Sequence, residues 1–259
     1  MSLARVLAIA ANVFREVIRD RILYLIALYA LGLVLLAALL PQVAANTQDK
    51  ILLDVGLGAI AIVGVTTAIV VGTTLITTEI SKRTIYLLLV KPVTPADLIF
   101  GKHLGLTAVL GTVVGAMTLV YLLQLTLSGI SYPWGSLLLS IGYTILELSL
   151  VVAIAILVSL LTGSLLAILM TLAVYLIGQL SPDLIALSQI TDSPAMGRIV
   201  EVLYLVLPDL SRLNWRNQAV YGMDLLPDPA TLAGHALYGV LYIILVLTLA
   251  SAILSRREL

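Results

Sequence analysis

Long stretches of apolar residues with almost no charge recur along this chain. Residues 22–40 contain no charged side chain, and Arg21 and Pro41 flank the stretch. A helix of about 20 apolar residues crosses about 30 Å of hydrocarbon. Hydrophobic residues make up 61% of the 259 residues and charged residues 11%, whereas soluble domains are about half apolar and about a quarter charged. We therefore expect an all-α polytopic membrane protein, since a soluble fold of this length could not bury so much apolar surface.

Six stretches of this kind predict six transmembrane helices. The other five are residues 55–78, 104–128, 137–161, 164–180 and 228–254. Asp228 followed by Pro229 marks the start of the last stretch, because Asp caps helix N-termini and Pro suits the first helical position. We expect the whole chain, residues 1–259, to form a single transmembrane domain.

Lysine and arginine are distributed unevenly between the two sides of these helices. Residues 1–21, the connection 79–103 and the C-terminal tail share one side and hold four, four and two of the 14 Lys and Arg residues. Basic flanking segments tend to remain in the cytoplasm. We therefore expect both termini and residues 79–103 to be cytoplasmic, and residues 181–228 to form an external loop with short helices.

The first 21 residues have an apolar and a polar side when they are placed on a helical wheel. The apolar side consists of Leu3, Val6, Leu7, Ala10, Val13, Phe14 and Val17. This pattern is typical of a helix that lies in the plane of the membrane. We expect residues 1–21 to form an N-terminal interfacial helix; a basic leader that merely flanks the first span is the alternative.

The connection 79–103 combines basic residues with a short apolar run. Residues 84–90 can form a short helix, which Pro92 ends because proline has no amide hydrogen. Thr94 and Asp97 then form a capping box with Pro95 at the first helical position. We expect a new helix to run from Thr94 into the third span. The short helix could press on a cytoplasmic partner; an ordinary loop is the alternative.

The order of residues in this connection is distinctive. It consists of Glu79, Lys82, Arg83, Thr84, Leu87, Leu88, Leu89, Val90, Lys91 and Pro92, followed by Gly101 and Lys102. This order resembles that of ABC-2 type permeases, the membrane subunits of ATP-binding cassette exporters. The six-span layout, the interfacial helix and the external loop are similar too, and within the family the chain resembles the copper-processing permease of the nitrous oxide reductase system. The resemblance implies a cytoplasmic coupling helix whose ATPase-coupling residues are Glu79, Lys82, Arg83, Thr84, Leu87, Leu88, Leu89, Lys91 and Pro92.

The resemblance also implies partners and a location. The chain would be a permease subunit in a prokaryotic plasma (inner) membrane, surrounded by lipid and paired with an identical or a homologous permease. A separate cytoplasmic ABC ATPase subunit would bind ATP and Mg and drive export of an unknown substrate or mechanical transmission across the membrane. An ATP-independent carrier or channel and a membrane scaffold protein are the alternatives.

The chain itself shows no motif for catalysis or for a cofactor. It has no G-x-x-x-x-G-K-[ST] sequence, whose backbone amides would cradle phosphates, so we expect ATP to bind to another chain. It has no cysteine and a formal net charge of zero. Thiolate metal sites are therefore excluded, and a nucleic-acid partner is not expected. We expect no enzyme activity, no cofactor and no metal site in this chain.

Glu147 is the one ionisable residue deep within a predicted span. Such a residue usually faces the bundle interior and has a partner. Glu147 and Gln124 are candidates to line a transport pathway. The alternative, which we favour for Glu147, is a carboxyl group bonded to neighbouring Ser or Tyr side chains, because no second ionisable residue forms a recognisable pair with it.

Two further expectations concern packing and the external loop. Glycines in the second and third spans, including Gly111 and Gly115, are expected to allow close packing within the chain rather than to form a dimer seam. In the external loop we expect one helix from 194 to about 205 and another from 209 or 211 to about 222. This pair of helices would lie in the interface or re-enter the membrane, with Trp215 and Tyr221 at the level of the lipid headgroups.

Overall fold

The computed structural model of the protein describes residues 2–18, 22–43, 48–81, 94–190 and 194–256. Ten α-helices follow one another in these ranges: α1 Leu3–Ile18, α2 Ile22–Val43, α3 Gln48–Ser81, α4 Pro95–Leu127, α5 Trp134–Leu161, α6 Ser164–Gln179, α7 Ser181–Ile190, α8 Pro194–Val206, α9 Arg216–Ala219 and α10 Pro229–Arg256. Two 3₁₀ turns, Leu210–Leu213 and Met223–Leu225, flank α9. The described ranges contain no strand, which confirms the all-α prediction.

Four of the described helices, α3, α4, α5 and α10, are long and apolar enough to span a membrane. Helix α2 contains the shorter apolar stretch Tyr24–Leu40, and α6 has 16 residues. At a rise of about 1.5 Å per residue α6 is about 24 Å long, which is less than the roughly 30 Å of a hydrocarbon core. All six helices coincide with predicted stretches, and length and composition identify four of them as spans.

Helix α5 forms the centre of the bundle and packs against α3, α4, α6 and α10. Glycines bring α3 close to it, since a Cβ at Gly64 would lie 2.7 Å from Leu148 Cδ1, and one at Gly72 would lie 3.0 Å from a side chain of α5. Glycine packing within the chain is thus confirmed for this seam. For Gly111 and Gly115 the expectation is wrong, because a Cβ at either position would meet nothing within 4 Å.

Both predicted helix starts are formed by the expected side chains. At α4, Thr94 Oγ1 accepts a hydrogen bond from the Asp97 amide and the Asp97 carboxylate accepts one from the Thr94 amide, both at 3.2 Å. At α10, Asp228 accepts hydrogen bonds at 3.1 Å from the amides of Ala230 and Thr231, and one at 2.6 Å from the Thr231 hydroxyl. These hydrogen bonds, the one from the Thr231 hydroxyl above all, lower the pKa of the Asp228 carboxyl.

Helix α1 packs on the first turns of α4. Its buried residues are Val6, Ala10, Val13 and Val17. Leu3 and Leu7, which belong to the predicted apolar side, are 70% and 50% exposed. The apolar side of α1 is therefore divided between a helix–helix contact and an exposed strip. Helix α1 lies where α3 ends and α4 begins, and we call this the α1 end of the bundle.

Residues 207–219, which we call the inserted segment, enter the bundle from the opposite end. Leu210, Leu213 and Ala219 are completely buried, and the segment packs against α5, α6 and α10. A Cβ at Gly178, near the end of α6, would lie 2.7 Å from the Pro208 carbonyl oxygen. The inserted segment therefore fills the space beyond the short α6.

The two helices predicted for this loop have different outcomes. The first is confirmed by α8, which covers Pro194–Val206. The second is wrong as a continuous helix, because the 3₁₀ turn Leu210–Leu213 is followed by extended backbone at Asn214 and then by the four-residue α9. Burial of the turn against three helices explains the break, since tertiary packing overrides local helix propensity.

Candidate functional site

Of the nine predicted coupling residues, only Glu79 lies in the part of the chain that the structure describes, in the last turn of α3. Outside the described residues lie Lys82, Arg83, Thr84, Leu87, Leu88, Leu89, Lys91 and Pro92. The structure thus defines the two helices that adjoin residues 82–93, α3 ending at Ser81 and α4 capped by Thr94.

Glu79 and Lys102 form an ion pair that joins these two helices. The Lys102 side chain is only 2% exposed, and its ammonium group donates a hydrogen bond to the Glu79 carboxylate. A buried charge requires such a partner, because leaving it uncompensated costs about 3–5 kcal/mol. The pair ties the last turn of α3 to α4 about two turns after its start. Both residues belong to the predicted motif of the connection 79–103, but their pairing was not predicted.

A groove of about 350 Å³ opens beside this ion pair, between α1, α2 and α3. Its lining consists of Glu16, Val17, Leu25, Thr67, Val70, Val71, Thr74, Leu75, Thr78 and Glu79. Five of these ten side chains are apolar, three are threonines and two are glutamates, so the groove combines apolar and polar surface, as small-molecule sites do. Neither Glu147 nor Gln124, the predicted pathway residues, belongs to this lining.

Glu147 lies near the middle of α5 and is completely buried. Its Oε1 accepts a hydrogen bond from Gln179 Nε2 at 2.5 Å, and its Oε2 lies 3.3 Å from Nη1 of Arg216 in α9. Asn214 Nδ2 in turn donates to Gln179 Oε1 at 3.1 Å. The expectation that Glu147 has no ionisable partner is therefore wrong, because the inserted segment brings Arg216 to it.

This cluster joins three elements of the bundle. Glu147 is on α5, Gln179 is the last residue of α6, and Arg216 belongs to the inserted segment. A second bond attaches the same segment to α5, since Ser136 Oγ donates to the Ala219 carbonyl oxygen at 2.6 Å. Oε1 of Glu147 accepts a hydrogen bond, whereas Oε2 and Arg216 Nη1 face each other at ion-pair distance without a hydrogen bond. We call this cluster the tether, because it links the three elements.

Trp215 and Gln124 lie outside this tether. Trp215 stacks on His235 of α10, with ring centroids 5.5 Å apart and planes inclined by 10°. Gln124 Nε2 donates to Ser128 Oγ at 3.2 Å, one turn along the same chain segment. Within the described ranges Gln124 and Glu147 share no hydrogen bond, and no group of three or more His, Asp or Glu side chains could hold a metal ion.

Four long apolar helices, of which α5 is the central one, together with ion pairs at two levels of the bundle, define a polytopic helical membrane protein. Over residues 7–259 the chain matches the family model described as ABC-2 family transporter protein. The protein therefore belongs to the ABC-2 transporter family and is a transmembrane permease, as the order of residues in the connection 79–103 indicated. Members of this family are membrane subunits that normally work with a cytoplasmic ATPase. A search of the curated proteins finds no match.

Proposed function

We propose that the protein is the permease subunit of an ABC-2 transporter in a prokaryotic plasma membrane, and that it couples ATP hydrolysis by a separate ATPase chain to export. In this proposal α2 and α6 also cross the membrane, which gives six spans. The α1 end faces the cytoplasm in this proposal, because the sequence segments 1–21, 79–103 and the C-terminal tail hold ten of the 14 Lys and Arg residues and basic flanks remain inside. ATP and Mg bind to the partner ATPase.

The observation that carries this proposal is the Glu79–Lys102 pair between α3 and α4. Residues 82–93, which contain all the predicted coupling residues except Glu79, connect these two helices. The ion pair on one side and the Thr94–Asp97 capping box on the other hold both attachment points in place. A force that an ATPase applies to this segment would therefore pass into two spans together.

The groove between α1, α2 and α3 favours translocation over a scaffold role. Its wall combines five apolar side chains with three threonine hydroxyl groups and the carboxylates of Glu16 and Glu79. Such a mixed surface suits an amphiphilic substrate. Two permease subunits, identical or homologous, would enclose a path of this kind between them. Because the chain resembles the copper-processing permease, our second proposal is that the same ATP-driven movement is transmitted mechanically to an external partner.

The coupling segment can be tested by replacing both Leu88 and Leu89 with Asp. Exposed leucines are unfavourable in water by about 1.5–3 kcal/mol each, so in our proposal they bury against the ATPase and the double variant should lose its binding. The measurement is copurification from membranes with the ABC ATPase encoded nearest to the gene. The matched control replaces Met223 and Leu225, which are exposed at the opposite end, with Asp. Undiminished copurification of the Leu88/Leu89 variant would show that the segment is an ordinary loop.

A further inference from the structure

Asp97 is a completely buried carboxylate at the start of α4. It accepts a hydrogen bond from its own helix start, the Thr94 amide, at 3.2 Å. It also accepts one from the Ser2 amide, immediately before α1, at 2.9 Å, and Arg5 Nη1 lies 3.8 Å from its Oδ2. One carboxylate therefore serves the N-terminal ends of two helices that are separated by about 90 residues of chain, and both helix dipoles favour a negative charge there.

The backbones of α1 and α4 approach each other closely just beyond this carboxylate. A Cβ at Gly101 would lie 2.8 Å from Ile9 Cβ, and a Cβ at Gly105 would lie 2.7 Å from the Ala10 carbonyl oxygen. These distances leave no room for a side chain on that side of α4. Small residues four positions apart allow two helices in a membrane to pack with their backbones in contact.

The two features act on the same pair of helices. The Asp97 bonds fix α1 at its first residues, and the glycines hold its second and third turns against α4. Thr94, which caps α4, directly follows residues 82–93. Any displacement of that segment thus acts on a unit made of α1 and the first three turns of α4.

We propose that Asp97 is a positioning residue that holds α1 on α4, so that the two helices move as one arm when the ATPase moves the coupling segment. The proposal rests on the proposed function for its last step only, since the attachment of α1 to α4 does not require an ATPase. The exposed Leu3 and Leu7 lie on the outer side of this arm. Movement of the coupling segment would then shift α1 as well as the third span.

The attachment can be measured directly, because the chain has no cysteine. The Val13 side chain of α1 faces α4 and is only 4% exposed. A single Val13→Cys should therefore react slowly with a water-soluble maleimide. Adding Asp97→Ala removes both amide bonds and the Arg5 contact, and the labelling rate should rise about tenfold, since each hydrogen bond to a charged group contributes substantially to stability. Adding Asp97→Asn, which can accept only one of the two amide bonds, should give a smaller rise. An unchanged labelling rate in both variants would overturn the role of Asp97.

The mechanical role requires a second readout, the stimulation of the copurified ATPase by the permease. Gly105→Leu should force α1 off α4 without altering any charge, whereas Gly111→Leu places the same side chain on the same helix in open space. We expect Asp97→Ala and Gly105→Leu to retain the ATPase but to reduce its stimulation several-fold, while Gly111→Leu has no effect. If labelling of Val13→Cys rises and stimulation is unchanged, α1 is not part of the moving arm. If the wild-type protein retains no ATPase, the proposed function fails while the labelling result still decides the attachment.

Discussion

Removing Arg216 should destabilise the protein by more than removing Arg216 and the Glu147 charge together. Two unit charges 3.3 Å apart attract each other by about 5 kcal/mol at an effective dielectric constant of about 20. Arg216→Met leaves the fully buried Glu147 with only the hydrogen bond from Gln179, and breaking a buried pair on one side costs about 3–5 kcal/mol. We expect a loss near 3 kcal/mol, because Arg216 is 12% exposed and solvent screens part of the attraction.

The reciprocal change should cost less. Glu147→Gln keeps an oxygen that can accept the Gln179 hydrogen bond, and the freed guanidinium of Arg216 can turn towards the loop, so we expect a loss of about 1–2 kcal/mol. The double variant Glu147→Gln/Arg216→Met leaves no buried charge and should be close to the Glu147→Gln variant. This non-additivity is the signature of a direct pair, because independent sites add to within about 0.5 kcal/mol.

The assay is equilibrium unfolding of the purified protein in mixed micelles by increasing mole fraction of sodium dodecyl sulfate, followed by circular dichroism. All four proteins of the cycle are compared at one pH and one detergent concentration. Arg216→Met within about 0.5 kcal/mol of the wild type, or losses that simply add in the double variant, would refute the tether. The pair would then be a contact without energetic consequence.

Two other predictions concern the topology and the start of α10. In intact cells an impermeant thiol reagent should label Asn217→Cys and should not label Ser255→Cys, since both positions are exposed but only the first is external in our proposal; the reverse pattern would invert the topology. The lowered pKa of Asp228 means that its cap stabilises α10 at pH values above the ordinary carboxyl pKa and is lost as the pH falls through the lowered value. Acid unfolding below about pH 4 should therefore become shallower in Asp228→Asn, and identical acid profiles would contradict the cap.

Features that depend on neighbouring residues were predictable from the sequence. The capping box at Thr94 and the Asp228 cap follow from side chains within three positions of the amides that they accept. The positions of the helices follow from uninterrupted apolar stretches, because a backbone in lipid must satisfy its hydrogen bonds within the helix. The family could also be predicted from the connection 79–103, because the order of residues in a sequence motif does not depend on the rest of the fold.

Features that depend on distant residues were not predictable in this way. Glu147 and Arg216 meet only because α6 is short and the inserted segment occupies the space beyond it. Whether a glycine packs against another helix also depends on distant residues. A Cβ at Gly64 would meet Leu148, whereas one at Gly111 would meet nothing within 4 Å, although both glycines lie in similar apolar sequence. Apolar sequence predicts that a helix is buried in lipid or in protein, and it does not say which partner the helix will meet.

The two ion pairs, each with at least one fully buried charge, resolve this ambiguity in the same manner. Within a bilayer the hydrophobic effect does not favour one helix neighbour over another, because lipid chains are as apolar as leucine. A charge buried without its partner is strongly unfavourable, so it penalises every arrangement except the one that supplies the partner. Glu79 with Lys102 excludes other registers of α3 against α4, and Glu147 with Arg216 excludes arrangements in which the inserted segment leaves the bundle. On this argument both pairs contribute to the uniqueness of the fold more than to its total stability, which is why replacing both partners of the second pair should cost so much less than replacing Arg216 alone.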